Sequence, residues 1–117
     1  MNLAQLGYHH LFQFQFRVNF KVPTLFVLNL SGLRISNEEL SLISKSCYNL
    51  KELTLESCHG ITARGLKQVV KNCKQLRKIS LLLCEKVPAN VVPWMISARP
   101  SLRKIQPPPQ FDRLSRM

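Results

Sequence analysis

The sequence has few acidic residues: six Asp and Glu stand against 17 Lys and Arg, which gives the 117 residues a formal charge of +11. General acid–base catalysis needs carboxylates or imidazoles held close to the reacting atoms, and this chain offers almost none. It also contains no Gly-rich phosphate loop, no Gly-x-Ser-x-Gly nucleophile elbow and no acidic pair in a periodic cleft. We therefore predict a protein that is not an enzyme and that needs no cofactor.

Long apolar runs are also missing. No stretch of about 18 apolar residues occurs, so we predict no transmembrane helix and no membrane partner. The amino terminus lacks the basic start, apolar block and small-residue cleavage site of a secretory signal. These absences favour a cytoplasmic or nuclear location.

The four cysteines lack the spacing of a metal site. Zinc sites generally use pairs about two to four residues apart, and the sequence has no such pair. Instead the interval from Cys47 to Cys73 equals the interval from Cys58 to Cys84, and both equal the period of an internal repeat. We predict buried structural thiols with no bound metal, and a solvated turn position for His59. Disulfides are not expected in a reducing compartment.

What the sequence does have is this internal repeat. The segment 50–76 reads LKELTLESCHGITARGLKQVVKNCKQL, and its apolar pattern recurs upstream in 25–49, with one position dropped before Ile35, and downstream in 76–101. A fourth copy opens at 102–105, where Leu-Arg-Lys-Ile repeats the letters of 76–79. A self-similar period of roughly 20 to 50 residues indicates a solenoid, in which stacked units share one core. The predicted units are 25–49, 50–75, 76–101 and the partial 102–105.

Each unit opens with the pattern Leu-x-x-Leu-x-Leu, which predicts a short strand whose leucines point into the core. A turn and a helical pattern follow. Ser36 and Glu39 have the spacing of a capping box for the first helix, and Thr62 is the predicted N-cap of the second. The third helix is predicted to lie after about Asn90 and to end before Pro100. Its apolar positions are Val92, Met95 and Ile96.

The residues between the strand leucines point the other way and would form columns on one face of a parallel sheet. Like positions of neighbouring strands lie about 4.8 Å apart, which places Glu52 beside Lys78. The mixture of charged and small polar side chains suits a peptide that carries both charges; the alternative is that these are merely solvated strand residues. The candidate partner-binding residues are Asn29, Ser31, Glu52, Thr54, Glu56, Lys78, Ser80, Leu82 and Lys104.

A second candidate surface lies on the outer side of the second helix, where Arg64, Lys67, Lys71 and Lys74 face away from the apolar stripe. Such a face could bind an anion or nucleic acid. No aromatic residues are interleaved there to stack on bases, which argues against specific nucleic-acid binding. The excess charge of the chain is spread over the units and is not clustered.

The two ends of the chain do not follow the repeat. In 1–24, apolar and polar residues alternate from Phe12 to Phe20, which predicts a strand that caps the sheet; the other interpretation is an irregular leader. The tail 106–117 begins with three prolines after Gln106 and cannot continue a ladder of strands. Three and a fraction units are close to the minimum of about three for a stable stack, so we expect a fragment.

The unit at 50–75, Leu-x-x-Leu-x-Leu-x-x-Cys-x-x-Ile-Thr-x-x-Gly-Leu-x-x-Val-x-x-x-Cys, closely resembles the cysteine-containing leucine-rich repeats. Leu33 replaces the first cysteine in unit one, and Arg99 replaces the second in unit three. The resemblance covers about 25–105 and implies an α/β solenoid with a parallel sheet on the concave face and helices on the convex face.

This repeat subclass occurs mostly in F-box proteins, the substrate-recognition subunits of cullin-type (SCF) ubiquitin ligases. The resemblance therefore implies a non-enzymatic protein-interaction module in ubiquitin-dependent protein catabolism, similar to the carboxy-terminal repeats of plant members. An F-box is a helical module that docks the Skp adaptor, and nothing in 1–24 matches one. We expect a Skp–cullin assembly as partner only if an F-box is supplied elsewhere. The alternatives are the basic helix surface and a truncated product without a function of its own.

Overall fold

The structure is a computed structural model that describes residues 21–109. The strand predicted in 12–20 and most of the predicted tail lie outside these residues. Seven elements alternate along the chain, each strand having three residues. They are β1 (Val27–Asn29), α1 (Asn37–Ser46), β2 (Glu52–Thr54), α2 (Ala63–Asn72), β3 (Lys78–Ser80), α3 (Val91–Ala98) and β4 (Lys104–Gln106).

The four strands form one parallel sheet in the order β1-β2-β3-β4, so the fold is α/β as predicted. The register pairs Leu28 with Leu53, Leu53 with Ile79 and Ile79 with Ile105. Each step from one strand to the next therefore equals the period of the sequence repeat. Backbone bonds extend the ladder past the short strands: the Leu55 amide, for example, donates to the Ser80 carbonyl at 3.0 Å.

The first helix begins where polar side chains satisfy free backbone amides. The predicted capping box is confirmed: Ser36 Oγ accepts from the Glu39 amide at 3.2 Å, and the Glu39 carboxylate accepts from the Ser36 amide at 3.0 Å. Thr62 precedes α2 as predicted, but its side chain does not cap that helix. Instead Thr62 Oγ1 accepts from Asn37 Nδ2 at 2.8 Å, while Asn37 Oδ1 accepts from the Thr62 amide at 3.0 Å. Asn37 thereby ties the start of α1 to the start of α2.

The third helix, Val91–Ala98, begins after Asn90 and ends before Pro100, as predicted. Val92 and Met95 are buried, but the expectation that Ile96 follows the same buried stripe is wrong, because Ile96 is 53% exposed. The equivalent residue of α2, Val70, is 2% exposed and lies on the helix that packs against α3. Ile96 lies on α3, the last of the three helices with described bounds.

One aliphatic core fills the space between the sheet and the helices. Leu28, Leu53 and Ile79 are at most 1% exposed and lie side by side in the register. Within residues 21–109 the strands and the three helices therefore share one buried layer. None of these helices has the length and apolar character needed to cross a bilayer.

Candidate protein-binding surface

The predicted columns are present on the sheet face opposite the core. One column consists of Val27, Glu52, Lys78 and Lys104, and the next consists of Asn29, Thr54, Ser80 and Gln106. A third follows at the carboxyl ends of the strands, where the Gly32 amide donates to the Glu56 carbonyl and the Ser57 amide to the Leu82 carbonyl, both at 2.9 Å. The repeat places the nine candidate residues on one surface.

One of these nine candidates cannot contact a partner freely. Ser80 is only 5% exposed, so its prediction as a partner-binding residue needs correction. Its hydroxyl donates to Glu56 Oε1 at 3.4 Å, which orients the carboxylate on the neighbouring strand. Ser80 was misassigned because its burial depends on the side chains beside it, which the period-two pattern does not show. It acts as a positioning residue for Glu56.

A groove lies at the carboxyl ends of the strands. Its volume is about 590 Å³, and its walls are Ser31, Gly32, Glu56, Ser57, Leu82 and Leu83. Leu82 is 38% exposed and Leu83 57% exposed, so two large apolar side chains meet solvent beside one carboxylate. The hydroxyl of Ser31 is covered from solvent and has no hydrogen-bond partner within residues 21–109. The groove thus presents apolar side chains beside an acidic one.

The turn that closes this groove uses the left-handed backbone conformation in each unit. Gly32, Ser57 and Leu83 occupy equivalent positions, with φ values of 78°, 60° and 61°. Glycine adopts this conformation without a steric penalty, whereas a residue with a Cβ is strained by about 1–2 kcal/mol. The exposed Leu83 is therefore held in a conformation that favours glycine, although its side chain is not needed for the core.

Replacing Leu83 with glycine is expected to raise the free energy of unfolding by roughly 0.5–1 kcal/mol, because relief of strain exceeds the added flexibility of the unfolded chain. Urea denaturation measures the change. The matched control is Leu82→Gly, at the neighbouring exposed leucine, which lacks a positive φ. That change should destabilise the protein by about 0.5–1 kcal/mol. Destabilisation by Leu83→Gly as well would show that the strain is absent.

All four cysteines are buried free thiols, as predicted. Cys58 Sγ donates to the Leu30 carbonyl at 3.1 Å, and Cys84 Sγ donates to the equivalent Leu55 carbonyl at 2.8 Å. Cys73 Sγ lies 3.6 Å from the carbonyl oxygen of Cys47, and also contacts that of Ser44 at 3.7 Å. Each of these donors thus reaches back to a carbonyl of the preceding unit. The turn cysteines fill the place predicted for a small buried side chain.

Arg99 occupies the position where unit three departs from the cysteine pattern, and its side chain also donates to a carbonyl of the preceding unit. Its Nε and Nη2 atoms donate to the Val70 carbonyl at 3.1 and 2.7 Å. Val70 lies in the last turn of α2, where carbonyls have no partner within the helix. A basic group is also favoured at a helix carboxyl end by the helix dipole. Arg99 and Cys73 therefore both donate a hydrogen bond to the unit before them.

Burial raises the pKa of the Cys47 thiol to about 11 and the pKa values of Cys58 and Cys73 to about 12. An exposed thiol in the unfolded chain has a pKa near 8.5, so unfolding favours the thiolate. This stabilisation is complete well below pH 8.5 and is lost as the pH rises through 8.5 toward the folded values. We expect the free energy of unfolding to fall by about 2 kcal/mol between pH 8 and pH 9, summed over three thiols.

The same burial predicts that thiol reagents modify the folded protein slowly. At pH 8 the folded protein should release less than one equivalent of coloured thiolate from a chromogenic disulfide. In the same time, the urea-unfolded protein should release four equivalents, one for each cysteine. Variants with Cys→Ala at 47, 58 and 73 should show a smaller loss of stability between pH 8 and pH 9. Rapid reaction of the folded chain, or a stability that is flat across this interval, would contradict the assignment of buried thiols.

The basic helix residues do not form one uniform anion site. Arg64 Nη2 forms an ion pair with the Glu38 carboxylate of α1, and the Lys67 ammonium lies 5.4 Å from the centre of the Trp94 ring. Lys71 and Lys74 are exposed. The neighbouring α3 contains no charged residue, so the basic stripe does not continue onto that helix. Two of the four predicted residues are thus engaged with other side chains.

A basic cluster that the sequence patterns above do not predict lies at the amino end of the strands. Lys51, Arg77 and Arg103 occupy equivalent positions before β2, β3 and β4, and Lys78 and Lys104 follow two of them. The signal in the sequence was their spacing of one repeat period, which also separates the core leucines. A count of charge along the chain hides the cluster, because the folded units bring together residues that are far apart in sequence.

Comparison with models of known protein families and with curated protein sequences gave no match to this chain. Within the part of the chain that the structure describes, no group of three or more His, Cys, Asp or Glu residues is placed to hold a metal ion. Function is therefore inferred from the arrangement of the sheet face, its groove and its charges.

Proposed function

We propose that the chain is a leucine-rich-repeat solenoid that binds a protein segment on the exposed face of its sheet. The observation that supports this most is the register: Leu28, Leu53 and Ile79 lie side by side, and each step equals the sequence period. Adjacent helices α1, α2 and α3 also pack in chain order. Stacking of successive units upon their neighbours is the arrangement typical of solenoids.

The role we propose is substrate recognition within a cullin-type ubiquitin ligase, without catalysis by this chain. The resemblance of the repeat to those of F-box subunits is its basis, and the form of the sheet face supports it. Side chains on parallel strands about 4.8 Å apart can contact different residues of one extended segment. Free thiols at all four cysteines agree with a reducing cytoplasm or nucleus.

The proposed binding face has apolar and charged parts at different places. Leu82 and Leu83 supply exposed apolar surface at the carboxyl ends of the strands, next to the Glu56 carboxylate. Lys78 and Lys104 lie side by side at the amino ends. A bound segment is therefore expected to present an apolar residue and a basic residue toward the groove. Exposed apolar residues rimmed by polar groups are a common feature of protein-binding sites.

A charge reversal in the groove tests this proposal. Full-length chain and its Glu56→Lys variant are used to capture proteins from an extract of the cells that produce it, and the captured proteins are quantified by mass spectrometry. We expect the wild-type chain to bring down a Skp adaptor and a cullin, with an F-box supplied by a partner or a longer form. We expect at least a tenfold loss of the substrate proteins with Glu56→Lys. The carboxylate of Glu56 would attract a basic residue of the bound segment, whereas a lysine at this position would repel it.

The matched control is Lys71→Glu, which also changes one exposed charge but lies on α2. It should leave the captured set unchanged. Capture that never includes a Skp adaptor and cullin would contradict the ligase role. Equal losses from Glu56→Lys and Lys71→Glu would contradict binding at the sheet face and favour the alternative of an anion- or nucleic-acid-binding helix surface. Loss of all partners as the salt concentration rises would point the same way.

A further inference from the structure

We propose that the amino-terminal edge of the sheet binds an acidic, extended segment of the protein partner. This inference rests on the proposed function, because it names the chemistry of what the sheet face recognises. The first observation is a column formed by Lys51, Arg77 and Arg103. The Arg77 amide donates to the Lys51 carbonyl at 2.8 Å, and the Arg103 amide donates to the Arg77 carbonyl at 2.9 Å. These three residues are thus neighbours across adjacent strands, about 4.8 Å apart.

A second column continues the positive charge onto the sheet. Lys78 and Lys104 are register partners, and both amides donate to the same carbonyls that the first column uses, Lys51 and Arg77. We call the five residues of the two columns the basic edge. They are Lys51, Arg77, Lys78, Arg103 and Lys104.

Within residues 21–109 no carboxylate forms an ion pair with a member of the basic edge, although Glu52 is the register partner of Lys78. The Lys51 ammonium instead lies 5.2 Å from the centre of the Phe26 ring. Like charges directly opposite each other on adjacent strands are unfavourable. An anionic partner would remove this repulsion, so the arrangement gains stability on binding.

The shape of the edge favours carboxylates. Arg77, Ser101 and Arg103 line a cleft of about 490 Å³. The Ser101 hydroxyl is fixed by donation to the Leu76 carbonyl at 2.8 Å. A guanidinium group presents a planar pair of donors that matches a carboxylate, which a lysine ammonium does not. Two arginines at neighbouring positions therefore suit neighbouring acidic side chains.

Continuity with the sheet face favours a protein segment over nucleic acid. Lys78 and Lys104 belong both to the basic edge and to the proposed binding face, so one extended segment can contact both. Single-stranded nucleic acid is generally held by several aromatic rings that stack on successive bases. Phe26 occupies the equivalent position before β1, next to Lys51, and is the aromatic side chain that the described residues place there. Its one ring cannot stack on a series of bases.

The experiment uses the full-length chain and a fluorescein-labelled decapeptide of alternating Glu and Ser, with a Gln-Ser decapeptide as the uncharged match. Binding is measured by fluorescence anisotropy at physiological salt. We expect the Glu-Ser peptide to bind and the Gln-Ser peptide to bind at least tenfold more weakly. The double variant Arg77→Gln/Arg103→Gln should raise the Kd for the Glu-Ser peptide at least tenfold, with an unchanged melting temperature showing that it folds.

The matched control is Lys71→Gln/Lys74→Gln, which removes the same charge from exposed positions on the helix side. It should change the Kd less than twofold. Equal weakening by the two double variants would mean that net charge alone attracts the peptide, and would overturn the inference. So would the absence of Glu-Ser binding, or tighter binding of an oligothymidine of equal charge. If only this test fails while Glu56→Lys still abolishes partner capture, the proposed function stands and the acidic chemistry is wrong.

Discussion

Replacing Leu53 with alanine is expected to lower the free energy of unfolding by about 3–5 kcal/mol. Leu53 is 1% exposed and is flanked in the register by Leu28 and Ile79. The change removes three methyl or methylene-sized groups from the middle of the core, and neighbours fixed by strand pairing can fill the cavity only in part. Small domains are generally stable by about 5–15 kcal/mol, so one such cavity removes a large share of the total.

Equilibrium urea denaturation of the full-length chain, followed by circular dichroism, measures this effect. The matched control is Leu82→Ala, which deletes the same atoms from a side chain that is 38% exposed on the other face of the sheet. Its cost should stay below about 1 kcal/mol, because less apolar surface is lost and no closed cavity forms. A Leu53→Ala variant as stable as the Leu82→Ala variant would show that the leucines do not share a packed layer.

The second large effect is expected for Gly60→Ala, at about 3 kcal/mol of destabilisation. A Cβ added at Gly60 would lie 2.5 Å from the carbonyl oxygen of Ile35 and 3.5 Å from its carbonyl carbon. The obstacle is backbone, so a change of rotamer cannot relieve the overlap. The turn after β2 would have to move away from the turn after β1, and Ile35 and Ile61, both buried near these turns, would lose packing.

The control for this prediction is His59→Ala, at the exposed neighbour in the same turn. It should change the free energy of unfolding by less than about 0.5 kcal/mol, as is usual for surface positions. The two variants are compared by thermal unfolding at one protein concentration. A melting temperature for Gly60→Ala within error of the wild type would mean that the two turns do not approach as closely as this contact requires.

The core could be predicted from the sequence because its information is local and periodic. Each unit carries its own Leu-x-x-Leu-x-Leu strand, and matching units by their spacing gives the register of Leu28, Leu53 and Ile79 directly. The capping box of α1 was likewise readable, because Ser36 and Glu39 interact within one helical turn. Contacts that repeat with the chain, or that span only a few residues, leave a signal that a single sequence can show.

Side-chain interactions between units are harder to predict from the sequence. The pairing of Asn37 with Thr62 joins neighbouring units and does not recur one unit later, where Ala63 and Pro88 occupy the equivalent positions, so the sequence indicates only a cap at Thr62. The burial of Ser80 beside Glu56 depends on the adjacent strand. The basic edge was missed for a related reason: charge was counted along the chain, whereas its members meet across strands. A count at equivalent repeat positions would have found it.

The reach of Cys58, Cys73, Cys84 and Arg99 back to earlier carbonyls is matched by bonds that run the other way. The backbone amides of Gly32, Leu55 and Leu81 donate to carbonyls of the following unit, so neighbouring units are joined in both directions. Removal of a terminal unit therefore leaves buried polar groups of the next unit without partners, which is costly. We expect amide exchange to spread inward from a truncation at either end.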